Sequence, residues 1–224
     1  MTESVSADLQ AVFERERTDA RNAPARDADT VHAQVVLMYA RLEREQRAVI
    51  TLAKLPVACE PGCNYCCHQR VEIRPYEAFI LADHVHARMT VAQQIEVKRK
   101  LTTNLAHIKP LAPLQHTQAG IACALLVDGV CSVYEARPAA CRKYYSLSVE
   151  TCRTAFEHPT EPLSGPLEDD NLRLAGNAVA LGYARGVEES GRDANRYELH
   201  AALLDALENP KSAKRYRNGK KAFV

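Results

Sequence analysis

The sequence predicts a mainly α protein, in which a helical frame carries a small β-hairpin and irregular cysteine-rich loops. The frame is indicated by apolar residues that recur at helical spacing over much of the chain, in runs that prolines begin or end. The loops are indicated by the cysteines, all of which lie between Cys59 and Cys152 and mostly outside these periodic runs.

Residues 1–56 predict two N-terminal helices. The spacing of apolar residues predicts the first over residues 6–21. The second begins near Asp29 and continues to about Leu55, because Pro56 cannot extend a helix.

Residues 57–153 predict a separate cysteine-bearing segment. Asp128-Gly129 lies between two short apolar runs and predicts a β-hairpin. The remaining predicted elements of this segment are a short strand around residues 71–73, helices over 75–89 and 90–108, and a short helix that Pro138 opens and that carries Cys141.

Residues 154–210 predict further helices, over about 166–186 and 193–208, which pack on the same unit. Asp169 and Asp170 fit the first turn of the former, where acidic side chains are favourable. Residues 211–224 carry six basic side chains and no acidic one, and we expect them to form a flexible tail. Contact of this tail with nucleic acid or an acidic partner is the weaker alternative.

The composition excludes several classes of protein. The chain has 224 residues with a net charge of +1, and it contains no apolar run long enough to span a membrane. Its first residues lack the features of a secretory signal, so we expect a cytoplasmic protein with reduced thiols. The glycine-rich phosphate-binding motifs are absent from the sequence.

The first cysteine block reads Cys59-Glu-Pro-Gly-Cys63-Asn-Tyr-Cys66-Cys67-His68. Cys63 and Cys66 have the spacing of a metal knuckle, in which two thiolates converge on one ion. Cys67 points away from Cys66 in extended backbone. Either the backbone is locally kinked, or these two cysteines serve different ions or different edges of one cluster. We expect His68 to support the site rather than to bind metal directly.

The second block contains Cys123, Cys131 and Cys141, and Cys152 follows it. The predicted hairpin brings Cys123 and Cys131 together, and a helix N-terminus favours the thiolate form of Cys141. Cys123 and Cys152 have the alternative of being small buried side chains.

Clustered cysteines in a reducing compartment indicate metal or iron–sulfur binding in preference to disulfides or to inert or redox-active thiols. The predicted ligands are Cys59, Cys63, Cys66, Cys67, Cys123, Cys131, Cys141 and Cys152. The basic side chains next to the cysteines would offset thiolate charge, with solvated surface charges as the alternative; they are Arg70, Arg137, Arg142 and Lys143.

The run C-x₃-C-x₂-C-C-H followed by C-x₇-C-x-V-Y-x₂-R-P-x₂-C-R-x-Y resembles the YkgJ-type cysteine cluster family, over roughly residues 57–153. The resemblance implies a zinc- or iron-chelating domain that uses these cysteines. A flagellin lysine N-methylase carries a similar cysteine cluster, which is associated with iron–sulfur.

Three functions follow as hypotheses. The first is a metal-binding protein with zinc or an iron–sulfur cluster as cofactor, and all-thiolate sites suit both. The second is an iron–sulfur-dependent enzyme, either lysine methyltransferase-like or redox. The third is an interaction module that the metal only stabilises. The sequence identifies no catalytic residue, and no membrane partner is expected.

Overall fold

The computed structural model describes residues 3–23, 27–60, 62–161 and 165–223. The helices are α1 (Glu3–Asn22), α2 (Ala28–Ala53), α3 (Pro75–Arg88), α4 (Val91–Ile108), α5 (Pro113–Gln118), α6 (Ala139–Arg142), α7 (Val149–Glu157), α8 (Asp170–Glu189), α9 (Leu199–Glu208) and α10 (Pro210–Arg217). The strands are β1 (Glu72–Ile73), β2 (Leu126–Val127), β3 (Val130–Cys131) and β4 (Tyr197–Glu198), and 3₁₀ helices cover Tyr65–His68 and Tyr134–Ala136. The mainly α prediction is confirmed.

Helices α1, α2 and α8 pack against one another, and two glycines of α8 allow the close approach of α1. A Cβ atom at Gly186 would overlap the carbonyl oxygen of Arg17, and one at Gly182 would overlap that of Phe13. The Arg41 guanidinium of α2 donates to both oxygens of the fully buried Glu16 in α1, at 2.7–2.9 Å. A paired buried charge of this kind fixes the register of the two helices.

One hydrophobic core runs from Ala20 in α1 to Phe223 near the end of the chain. It includes residues of α3, α4 and α9, and it also takes in Leu125 and Val133 from the cysteine-bearing segment. The cysteine loops therefore share their core with the helices.

Two short antiparallel strand pairs position the cysteine loops. The predicted hairpin is present, with Leu126 opposite Cys131, and Asp128 and Gly129 both have positive φ in its turn (48° and 78°). These are the signs of a type I′ turn, which fits the twist of a hairpin. The other pair joins β1 to β4 and brings the start of α3 next to the start of α9.

The prediction of a flexible tail is wrong for residues 211–223. Helix α10 occupies much of this segment, and Tyr216, Ala222 and Phe223 are buried in the common core. The backbone N–H of Ala222 donates to Asp193 at 2.7 Å. The basic side chains obscured an amphipathic pattern, whose apolar members pack on the protein while the lysines are exposed. Arg215 is half-buried and donates to the carbonyl of Ala222 at 2.8 Å.

Other elements differ in extent or were missed. Helices α5 and α7 were not predicted, because both are short and have few apolar residues. The last predicted helix begins only at Leu199, since Tyr197 and Glu198 pair with β1 instead. None of the described helices is long and apolar enough to cross a membrane.

Candidate metal centre

The first cysteine block folds as two consecutive turns. Gly62 has a φ of +93°, and the N–H of Cys63 donates to the carbonyl of Glu60 at 3.0 Å. The 3₁₀ helix follows and carries Cys66 and Cys67, whose side chains point about 120° apart at three residues per turn. The backbone at this pair therefore departs from the extended form. The neighbouring thiol of Cys67 is the main cause that raises the pKa of the Cys66 thiol, and burial raises it further.

Hydrogen bonds to backbone carbonyls join the second block to the first. The N–H of Cys123 donates to the carbonyl of Cys67 at 2.8 Å. The side-chain amide of Asn64 donates to the carbonyl of Gly129 in the hairpin turn at 3.2 Å. Neither bond involves a thiol, and both help to hold the two loops face to face.

A buried glutamate positions the short helix that carries Cys141. Glu77 of α3 accepts hydrogen bonds from the N–H groups of Ala139 (2.7 Å) and Arg74 (2.9 Å), and from the hydroxyl of Tyr39 (3.3 Å). The start of α6 is thereby tied to the start of α3 and to α2. Sequence inspection missed this role, although Glu77 stands three residues after Arg74, the spacing at which a glutamate caps a helix.

An inner thiol group, defined as Cys66, Cys123, Cys131 and Cys141, surrounds a cavity of about 350 Å³. Cys63 and Cys67 also line this cavity. Burial is the main cause that raises the pKa of the Cys141 thiol, and the charges of Cys123, Cys66 and Cys131 raise it further. Burial raises the pKa of Cys123 to about 11. The expected thiolate-stabilising effect of a helix N-terminus at Cys141 is therefore outweighed by burial.

An outer thiol group, defined as Cys59, Cys63 and Cys152, lies beside the first. Burial raises the pKa of Cys59 and of Cys63, and the charges of Cys66 and Cys152 raise both further. Cys59 is the most exposed of the eight thiols, and its Sγ accepts a hydrogen bond from the N–H of Ser146 at 3.3 Å. Cys66 is electrostatically coupled to both groups, so it marks their junction.

Cys152 reaches the outer group because α7 packs on the 3₁₀ helix. The ring of Phe156 in α7 lies 4.8 Å from the ring of His68 and 5.8 Å from that of Tyr65, between centroids. His68 itself has its Nδ1 atom 3.1 Å from the carbonyl oxygen of Asn64. His68 thus packs against α7 and does not line the cysteine cavity.

The spacing of the thiols restricts the kind of site. Among the described residues, no three cysteines have Sγ atoms that all lie within 4.8 Å of one another. Thiolates on one tetrahedral zinc ion, at a Zn–S distance near 2.3 Å, are about 3.8 Å apart. The sulfur atoms therefore stand around the cavity instead of converging on a single point.

Two of the four predicted basic side chains line the cavity. Arg137 does so with its guanidinium 3.9 Å from the centre of the Tyr134 ring, and its buried Nε has no hydrogen-bond partner within the described residues. Arg70 lines the cavity but pairs with Glu72 at 2.8 Å. Arg142 instead bonds Glu43, and Lys143 bonds Asn177. Arg137 is thus the cation most available to offset thiolate charge.

Asp169 and Asp170 have the structural role that the sequence predicts. Asp169 is the N-cap of α8 and accepts from the N–H of Leu172 at 2.8 Å, while Asp170 occupies the first turn.

Comparison with known proteins agrees with this site. Residues 58–159 match the model of the CxxCxxCC family, whose description is "Putative zinc- or iron-chelating domain". Searches of curated proteins and of solved structures found no match. The match confirms the family resemblance drawn from the cysteine spacing. Over residues 58–159, this chain is therefore similar to the CxxCxxCC family.

Proposed function

We propose that this protein binds metal through its eight cysteines in two sets of four thiolates. One set consists of Cys123, Cys131 and Cys141 with one member of the Cys66–Cys67 pair. The other set consists of Cys59, Cys63 and Cys152 with the other member of that pair. The observation that carries this proposal is the lining of the cavity, which includes Cys66, Cys123, Cys131 and Cys141 but neither Cys59 nor Cys152. The neighbouring charges that raise the pKa values of Cys59 and Cys141 support the same division.

The chemistry of the donors suits either metal named by the family description. Thiolates bind zinc and also hold iron–sulfur clusters. The thiols reach the thiolate form at a higher pH than free cysteine, since burial raises the pKa of Cys59, Cys123 and Cys141. A bound cation lowers these thiol pKa values again and keeps its ligands deprotonated.

The inner group fits an iron–sulfur cluster better than a single zinc ion. Its thiols line a cavity of about 350 Å³ and are too widely spaced to share one tetrahedral ion without moving. Thiolates of a cluster bind different iron atoms, so they stand further apart than those on one ion. The unpartnered Nε of Arg137 supports the same reading, because hydrogen bonds to cluster sulfur are a common feature of such sites.

The test is anaerobic purification followed by measurement of iron, acid-labile sulfide, zinc and visible absorption. We expect a brown protein that contains iron and sulfide, with broad visible absorption from the inner group. A colourless protein with stoichiometric zinc would overturn the cluster assignment. A protein with no metal and no free thiols would overturn metal binding altogether.

Two cysteine variants test the division into sets. Cys141→Ser should remove the metal of the inner set, and Cys152→Ser should remove only that of the outer set. Thr103→Ser, an exposed change on α4, is the control and should keep the full metal content. Loss of all metal in both cysteine variants, with the fold retained by circular dichroism, would indicate one shared centre and contradict two sets.

A further inference from the structure

Three residues outside the cysteine groups bring ligand atoms together in the interior. His116 lies on α5, Glu198 on β4, and His200 in the first turn of α9. Each offers one ligand atom, and the three atoms lie within 4.8 Å of one another. Within the described residues, no other set of three or more histidine, cysteine or carboxylate side chains meets this spacing.

Hydrogen bonds place the ring proton of His200 and join this ring to Glu198. The Nε2 atom of His200 accepts from the backbone N–H of Ala124 at 3.3 Å and lies 3.2 Å from Nδ2 of Asn104. The ring proton is therefore on Nδ1, which donates to Oε1 of Glu198 at 2.7 Å. The other oxygen, Oε2, accepts from the N–H of Ala201 at 2.9 Å.

His116 completes the set and lacks any other polar contact. Its side chain is 2% exposed, and its ring centroid is 6.4 Å from that of His200. The ring makes no hydrogen bond within the described residues. Burial lowers the pKa of His116, which favours the neutral form with a free lone pair.

We propose that His116, Glu198 and His200 form a further metal site, which takes a divalent cation of the zinc class. Two imidazoles and one carboxylate are a common protein ligand set for zinc. The cation would replace the proton that Nδ1 of His200 now shares with Glu198. On binding, the N–H bond breaks, a bond from that nitrogen to the metal forms, and one proton passes to solvent.

The location gives this site a structural role next to the cysteines. His200 holds the N–H of Ala124, which directly follows Cys123 in the chain. The three ligands are largely buried, and none of them lines the cysteine cavity. A cation here would fix the ring of His200 and, through Ala124, the loop that carries Cys123.

The test uses the full chain, reconstituted with excess zinc, dialysed, and measured by metal analysis and zinc-edge X-ray absorption. We expect nitrogen and oxygen ligands with the scattering signature of imidazole. His116→Gln should lose one equivalent of zinc while the iron content and thiolate signals stay unchanged. His107→Gln, which changes an exposed histidine of α4, is the matched control and should lose none.

Two results would overturn this site. One is a wild-type spectrum without imidazole scattering, a measurement that does not depend on whether any variant folds. The other is a folded His116→Gln protein with full zinc content. Because the readout is nitrogen coordination, failure here is distinguishable from failure of the thiolate sets, which is read from sulfur coordination and iron.

Discussion

The helical frame of α1, α2 and α8 and the cysteine loops (residues 57–60, 62–73 and 121–148) are built in opposite ways. Frame residues such as Val35, Leu42 and Val179 are fully buried, and the helices satisfy most of their own backbone hydrogen bonds. The cysteine loops consist largely of turns, 3₁₀ helices, two-residue strands and the four-residue helix α6, and the thiols are half-buried or exposed.

This difference separates two sources of stability. Burial of apolar side chains stabilises the frame and requires nothing beyond the chain itself. Short turns with half-buried thiols bury little apolar area, so a ligand that links them contributes a larger share of their stability. We therefore expect the two regions to respond differently to metal removal and to substitution.

The largest expected effect is that of metal removal. A chelator with a thiol reductant should abolish amide protection in the cysteine loops, because structural thiolate sites contribute about 10 kcal/mol or more to folding. Amides of α1 and α8 should keep most of their protection in the same hydrogen-exchange experiment. Equal loss of protection in both regions would contradict the expectation that metal stabilises the cysteine loops more than the helical frame.

The second effect concerns the frame alone. Gly186→Leu should destabilise the protein by about 3 kcal/mol, since its Cβ meets backbone of α1, which cannot move aside easily. Urea unfolding of the metal-loaded protein measures this change. Gly165→Ala is the control, because a Cβ there meets no atom within 4 Å. Metal content per folded molecule should stay at the wild-type value.

The third effect concerns the link between the regions. Glu77→Ala leaves the N–H groups of Arg74 and Ala139 without their acceptor and should cost about 2–3 kcal/mol. It should also weaken metal binding by the set that contains Cys141. Urea unfolding measures the loss of stability, and metal titration measures the loss of affinity. Unchanged metal affinity would contradict the role of Glu77 in positioning Cys141.

Glu77 also predicts a pH dependence. Burial raises the pKa of this carboxyl above its usual value, so the folded state binds its proton more tightly than the unfolded state. Stability should therefore fall as pH rises from the unfolded pKa, about 4.3, through the raised folded value. The free energy of unfolding, measured with urea at several pH values, should depend less on pH in Glu77→Gln than in the wild type. An identical dependence in the two proteins would show that Glu77 does not cause it.

The smallest effect separates the two thiol sets. Phe156→Ala should cost about 1 kcal/mol of the packing that holds α7 on the 3₁₀ helix. The outer set should then bind metal about fivefold more weakly, while the inner set is unaffected. Leu114→Ala changes an exposed apolar side chain and serves as the control. An equal loss in both sets would argue against their independence.

The local features of this protein were readable from its sequence. Apolar spacing predicted most helices, Asp128-Gly129 predicted the hairpin, and the spacing of the cysteines predicted a metal-binding family. Each of these signals lies within a few residues, because helix periodicity, turn chemistry and ligand spacing are local properties.

The grouping of side chains was decided by the tertiary structure. Packing of α7 brings Cys152 to the outer thiol group, Glu77 ties α6 to α3, and Phe223 enters a core that its basic neighbours gave no reason to expect. His116 and His200 meet only because α5 and α9 pack near each other. Such contacts join residues far apart in the chain, and their geometry depends on how whole helices bury their apolar faces, which no short stretch of sequence encodes.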